Sequence, residues 1–269
     1  MTSLVRKPHV AGSFYPAEPQ ALRDYLQKVI EPTAPTIQAK AVIIPHAGYL
    51  YSGRTAAEVI RRINIPKTAF LIGPNHWGVG EAFALFSCGS WENPLGKVPV
   101  DEEFASGLLE SSHDIRVDTE AHFREHSLEV EIPFLQYRNP SVAVVPLLIG
   151  TLNWDNVADV AFSMEEFLRT RSDFLIVCST DMNHYENDKI TREKDGYALE
   201  AIKALDEKTF RRAVVLHQIS MCGCIPVYMT LILSKSMGAK RAELVDYRTS
   251  ADASGDRDRV VGYAGFIIY

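Results

Sequence analysis

Short apolar runs alternate along this chain with segments whose apolar residues return every three or four positions. The first pattern reads as buried strand and the second as amphipathic helix. Ala41 to Ile44 is such a run, small and β-branched, and it ends on Pro45, His46 and a glycine-bearing turn reaching Gly53. Thr68 to Gly73 repeats the pattern and ends on Pro74, Asn75 and His76. Asp173 to Cys178 repeats it again and leads through Ser179, Thr180 and Asp181 to His184. Each of these strands delivers a histidine past its carboxyl end, the edge at which open α/β sheets bind ligands.

The helical pattern fills the intervals. Gln20 to Ile30 carries Leu22, Tyr25, Leu26 and Val29 on one stripe, and Arg54 to Ile63 carries Ala56, Ala57, Val59, Ile60 and Ile63. Asp101 caps a helix to Leu109, Ser127 caps one toward Tyr137, and Asn153 caps an amphipathic helix through Leu168. Thr191 to Leu205, Asp206 to His217 and Val227 to Ser236 complete the set, the last preceded by a turn over Ser220 to Pro226. Further strands are expected at Glu81 to Phe86, Ile115 to Val117, Val142 to Leu148, Ala242 to Tyr247 and Val260 to Tyr269. Arg6 to Pro19 reads as an ordered irregular arm, Glu31 to Ile37 as a proline-rich linker, and Ser87 to Pro99 as a loop over the strand edge. The β-α-β unit from Ala41 to Gly73 favours parallel strands that lie side by side. The reading is one domain over residues 1–269, a three-layer α/β/α sandwich on a mostly parallel sheet, with mixed directions toward the C-terminal end.

Composition narrows the function. The 269 residues carry a net charge of −6, with 46% hydrophobic and 23% charged residues, and no Lys/Arg cluster interleaved with aromatics, so nucleic acid is not an expected partner. No apolar run approaches the ~18 residues of a membrane helix, and the first residues lack the apolar core of a signal peptide. Four cysteines are few for an extracellular disulfide scaffold of this length, so a reduced, cytoplasmic location is expected.

His46 and His76 taken singly could be strand-end caps. Taken together at one edge, beside Gly48, Gly73 and Gly78, they are the start of a metal site. Asp181 and His184 stand three apart after a buried strand. They read either as turn polarity or as an acid orienting a histidine that serves as acid–base or as a further ligand. Cys222 in S-M-C-G-C-I-P precedes a helix, whose N-terminus would favour a thiolate, while Cys224 and Cys178 read as packed residues. Glu125, His126 and Glu129 fit a solvated helix cap as well as a supporting shell around a metal. Dinucleotide, Walker A, calcium-loop and nucleophile-elbow patterns are absent.

In this order, A-G-S-F-Y-P at Ala11 to Pro16, P-H-A-G-Y at Pro45 to Tyr49, G-P-N-H at Gly73 to His76, E-H-S-L-E at Glu125 to Glu129, S-T-D-M-N-H-Y at Ser179 to Tyr185, C-G at Cys222 and the closing S-A-D-A-S-G-D and V-V-G-Y resemble the Memo family over the whole length. The resemblance implies a fold like that of the class III extradiol dioxygenases, which hold Fe(II) with two histidines and a glutamate and use a further histidine as acid–base. By that resemblance His46, His76 and Cys222 are the metal ligands and His184, with Asp181, handles protons. A cysteine in place of the glutamate points away from ring opening and toward iron or copper redox chemistry, with Fe(II) ahead of copper and zinc last. The resemblance also implies a functional link to a radical-SAM protein, and it supplies a non-enzymatic alternative, a module that binds (phospho)peptide in the same pocket, aided by Arg54. A small oxidisable or aromatic substrate, under the Ser87 to Pro99 loop, is expected for the enzymatic reading. Metal-assisted hydrolysis at a zinc-loaded site is the weakest option.

Overall fold

The computed structural model describes residues 4–30 and 36–269; most of the expected linker, residues 31–35, lies outside the described residues. The amino-terminal half contributes β1 (Val5–Arg6), α1 (Pro19–Val29), β2 (Ala41–Ile44), α2 (Gly53–Ile60), β3 (Thr68–Pro74) and β4 (Phe83–Leu85). A hairpin of β5 (Ser90–Asn93) and β6 (Gly96–Pro99) follows, then α3 (Glu102–Ser111), β7 (Ile115–Val117) and α4 (Glu120–Phe123). A 3₁₀ turn at Glu129–Glu131 runs into α5 (Ile132–Arg138), and β8 (Ala143–Ile149), α6 (Trp154–Arg169) and β9 (Phe174–Ser179) come next. The chain closes with β10 (His184–Glu186), α7 (Asp188–Lys203), α8 (Glu207–Leu216), α9 (Cys224–Ser236), β11 (Ala242–Thr249), α10 (Ala251–Ser254) and β12 (Val260–Ile268).

The main sheet runs β10-β12-β2-β9-β3-β8-β4-β7, with β11 on β12. Its centre, β2, β9, β3 and β8, is parallel. Strand residues alternate between two cores because successive side chains point to opposite faces. Ile43, Phe70, Ile72, Val145 and Ile176 pack with Phe104 of α3, Met164 of α6, Phe210 of α8 and Leu231 of α9. Val42, Ile44, Leu71, Val144 and Val177 pack with Leu26 of α1, Val59 of α2 and Phe134 of α5. This is the expected α/β/α arrangement. Because the central strands are covered on both faces, β3 reads as a continuous apolar run rather than an alternating one.

Several expectations need correction. β2 and β3 are not neighbours: β9 pairs with both and lies between them. Antiparallel strands flank the parallel centre on both sides, β12 against β2 and β4 against β8, not at the C-terminal end alone. Ser87 to Pro99 is not a cover for the site. Because β4 runs antiparallel to β8, the chain after it heads for the amino end of the sheet, where Phe86 donates to Pro146 O (3.0 Å) and Asp101 to Val144 O (3.0 Å). There the segment forms a hairpin joined by β1 in a small separate sheet. Helix α9 starts three residues earlier than the pattern suggested, at Cys224. Pro226 sits in its first turn, where a missing N–H costs nothing, and the helix is buried nearly all round, so no stripe marks its start.

Candidate metal centre

Three parallel strands end side by side, and the residues just beyond them meet. His46 lies two residues past β2; its N–H donates to Asp181 Oδ1 (2.9 Å), two residues past β9, so each extension pins the other. The His46 ring Nδ1 is 2.8 Å from Ser179 Oγ. His76 lies two residues past β3, and Glu125 grips it twice: the His76 N–H donates to Oε2 (2.7 Å) and ring Nδ1 contacts Oε1 (2.9 Å). The same Glu125 Oε1 accepts the N–H groups of His126 and Ser127, both at 2.9 Å, and the His126 Nδ1 lies 3.4 Å away. The rings of His46, His76 and His126 form a triangle with centroids 5.1, 5.4 and 4.9 Å apart. One ligand atom from each lies within 4.8 Å of the others.

Cys222 meets the group at His46. Its Sγ lies 3.2 Å from His46 Nε2 and accepts the Asp181 N–H at 3.3 Å. It gets there because Gly223 lies flat on the end of β9: a Cβ on Gly223 would stand 2.5 Å from Thr180 Cβ and 2.8 Å from Ser179 O. Gly73 does the same under the loop, where a Cβ would meet Leu128 Cδ2 at 2.6 Å. His184 is held by Ser220, whose hydroxyl accepts the His184 N–H and whose carbonyl lies 2.8 Å from ring Nδ1. Next to it, Tyr185 adopts φ 64°, a left-handed conformation that costs a side-chain-bearing residue about 1–2 kcal/mol.

The surroundings set the charges. Burial holds His46 well below the ordinary imidazole range, and the neighbouring His76, His126 and His184 add to this. Burial also lowers His126 and His184. His76 moves the other way: burial lowers it, but the hydrogen bond and charge of Glu125 outweigh that. Burial would raise Glu125, yet His76 and the Ser127 N–H hold it down at about 2. Asp181 is pushed up to about 7 by burial, against the His46 and Ala47 N–H groups that favour its charge. The expected thiolate at Cys222 is not favoured by its surroundings, since burial and the Asp181 charge push the thiol well up. The helix beyond it begins two residues later, at Cys224, and the Asp181 N–H and the Thr180 hydroxyl only partly oppose the burial.

The donor set suits a metal ion. For His46, His76 and His184 the Nδ1 is occupied by a protein partner, which leaves Nε2 available, and a fixed second nitrogen is the usual support of a ligating histidine. With bonds of ~2.0–2.1 Å a tetrahedral ion would want nitrogens about 3.3 Å apart, so donors lying within 4.8 Å of one another would close by at most about 1.5 Å. Nearly neutral imidazoles with one soft sulfur beside them match iron, copper or zinc better than magnesium or calcium.

A family model for Memo-like proteins matches residues 6–267. A MEMO1 family protein of Aquifex aeolicus is 38% identical over 98% of both chains, one of Ignicoccus hospitalis is 40% identical over 97% of both, and one of Archaeoglobus fulgidus is 40% identical over 98% of this chain and 99% of its own. The chain belongs to the Memo family. Among solved structures, an uncharacterized Escherichia coli K12 protein, JW3007, aligns with TM-score 0.57 over 86% of this chain and 100% of its own at 13% identity, a likeness of fold alone.

Within this Memo chain the residues singled out by sequence gather at one edge. The His46 and His76 rings lie 5.1 Å apart, Cys222 Sγ lies 3.2 Å from His46 Nε2, and Asp181 accepts the His46 N–H. Sequence reasoning left open the role of Glu125, which is buried and bridges two histidines rather than capping a solvated helix. It missed His126 as a third imidazole, and Ser179 and Glu131 behind His46. The signal for His126 was present, an acid directly before a histidine in a polar segment. Nothing in the sequence placed that segment at the carboxyl edge.

Proposed function

We propose that this Memo-family chain is a redox-active mononuclear metalloprotein, its iron or copper held by His46 and His76 with Cys222 and His126 as the further donors. The observation that carries this is the convergence of imidazole donors within 4.8 Å, with the Cys222 sulfur 3.2 Å from one of them. Bound there, the ion would supply one-electron chemistry beside an oxidisable sulfur. The protein's own part is proton handling: Asp181, held at about 7, can exchange a proton near neutral pH, and His184 is neutral with Nε2 available. A small oxidisable or aromatic molecule fits the exposed rings that follow the site histidines, Trp77 and Tyr185.

The test is metal analysis of anaerobically purified protein alongside His46→Ala, His76→Ala and Cys222→Ser. Each histidine change is expected to lower occupancy at least tenfold; retention of stoichiometric metal by the His46/His76 double variant rejects the centre. A second reading has support of its own. Arg124 lies over Trp77 at 4.4 Å and Arg259 faces Tyr185 at 5.7 Å, a cation-and-aromatic rim suited to an acidic or phosphorylated peptide. Peptide binding insensitive to chelator would favour that reading over the redox one.

A further inference from the structure

Behind His46 the hydroxyl of Ser179 makes three contacts, and they can be satisfied in only one way. Ser179 Oγ lies 2.6 Å from Ser127 O, 2.9 Å from Glu131 Oε1 and 2.8 Å from His46 Nδ1. A serine hydroxyl has one proton to donate and two lone pairs to accept with. Ser127 O can only accept, and its contact is the shortest, so the Ser179 proton goes there. The other two neighbours must then both donate to Oγ. Any other arrangement sets two acceptors against each other at 2.9 Å or less, with no water path through fully buried side chains.

We infer that Glu131 is a positioning residue that acts as a neutral carboxylic acid: it donates its proton to Ser179, and the pair thereby fixes the His46 proton on Nδ1 and turns a bare Nε2 toward Cys222. Two independent observations agree. Among the described residues Glu131 Oε2 is buried without a hydrogen-bond partner, which a carboxylate would not tolerate but the carbonyl oxygen of an acid can. Burial also pushes the Glu131 carboxyl well up, and the Asp181 charge adds to it against the Ser179 bond. On the far side of the ring, Cys222 Sγ at 3.2 Å then donates its S–H to the unprotonated Nε2. The Glu131–Ser179 pair is therefore a device for presenting one nitrogen lone pair to the centre. It does for His46 what the Glu125 carboxylate does for His76, but without adding a further negative charge to those of Glu125 and Asp181.

The consequence for metal binding rests on the reading of the centre as a metal site; the proton positions do not. Nitrogen NMR of metal-free, histidine-labelled protein is expected to show His46 protonated on Nδ1 and bare on Nε2. Infrared spectra at neutral pH are expected to show a buried carboxylic acid carbonyl band that Glu131→Gln removes and Ser179→Ala shifts. A His46 proton on Nε2, or no acid band lost in Glu131→Gln, overturns the inference. In anaerobic Fe(II) titrations Ser179→Ala should weaken affinity about 10–100-fold, the usual cost of losing such a support, while Glu131→Gln, whose amide still donates, stays within a few-fold. Equal weakening by both variants also overturns it. If His46→Ala leaves Fe(II) affinity unchanged, the metal centre fails instead, and the NMR and infrared results still decide where the protons lie.

Discussion

Two buried glutamates stand two residues apart on one 3₁₀ turn and are treated in opposite ways. Glu129 is surrounded by donors: it pairs with the fully buried Arg6 and accepts from the backbone N–H of His9 and Val10 (2.9–3.0 Å) and from Tyr15 OH (2.7 Å). Arg6 in turn donates to the carbonyls of His122 and Glu125 and lies 4.5 Å over the Trp91 ring. Glu131, equally buried, has Ser179 alone among the described residues. A carboxyl deprived of water keeps its charge only where donors replace the water; elsewhere it stays protonated. The first arrangement staples the amino-terminal arm under the site. The second aims a histidine.

The largest effect is expected from removing the charge of Glu129. Glu129→Gln leaves the Arg6 guanidinium buried without its counter-ion and should cost about 3–5 kcal/mol of unfolding free energy in denaturant titrations. Adding Arg6→Met should recover part of that loss, since the two residues share one interaction. A cost under about 1 kcal/mol would show that the arm can swing the guanidinium out to water.

A third buried carboxyl, Asp195, lies between these cases. It accepts from Asn183 N–H (2.9 Å) and Tyr247 OH (2.7 Å), and burial still raises it to about 6 from 3.8. Between those two pH values the folded chain holds a proton here that the unfolded chain has lost. Stability from this group therefore falls as pH rises through the window, by up to about 3 kcal/mol at about 1.4 kcal/mol per unit. Asp195→Asn should flatten the unfolding curve between pH 4 and pH 6 by a comparable amount (about 3 kcal/mol). Parallel pH profiles for the variant and the parent would refute this.

The smallest effect is expected at Glu131. Since the acid is already neutral, Glu131→Gln should change stability by only about 1 kcal/mol, because one donor replaces another. A loss as large as that of Glu129→Gln would mean that Glu131 is charged, and the contrast between the two glutamates would collapse.

Much of this was legible in the residue order. The runs at Ala41, Thr68 and Asp173, each ending in a histidine, located the strands and the edge. Asp101, Asn153 and Asp206 marked helix starts because their side chains accept the first free N–H groups. The strand order was not legible, because β9 slots between β2 and β3 through pairing that no local pattern records. The hairpin at Ser90 to Pro99 was mistaken for a loop over the site, since its direction depends on β4 running antiparallel.

The sequence by itself determined which side chains follow the ends of which strands, and so that three histidines and an aspartate stand past carboxyl ends, while Cys222 was tied to them only by the family resemblance: strand burial and turn chemistry are local, and local patterns print in the residue order. Only the tertiary structure decided that His126 joins His46 and His76, that Glu125 serves two of these rings, and that Glu129 is paired while Glu131 is not. Those outcomes depend on which donors from distant segments replace lost water, and burial of that kind is a property of the assembled chain.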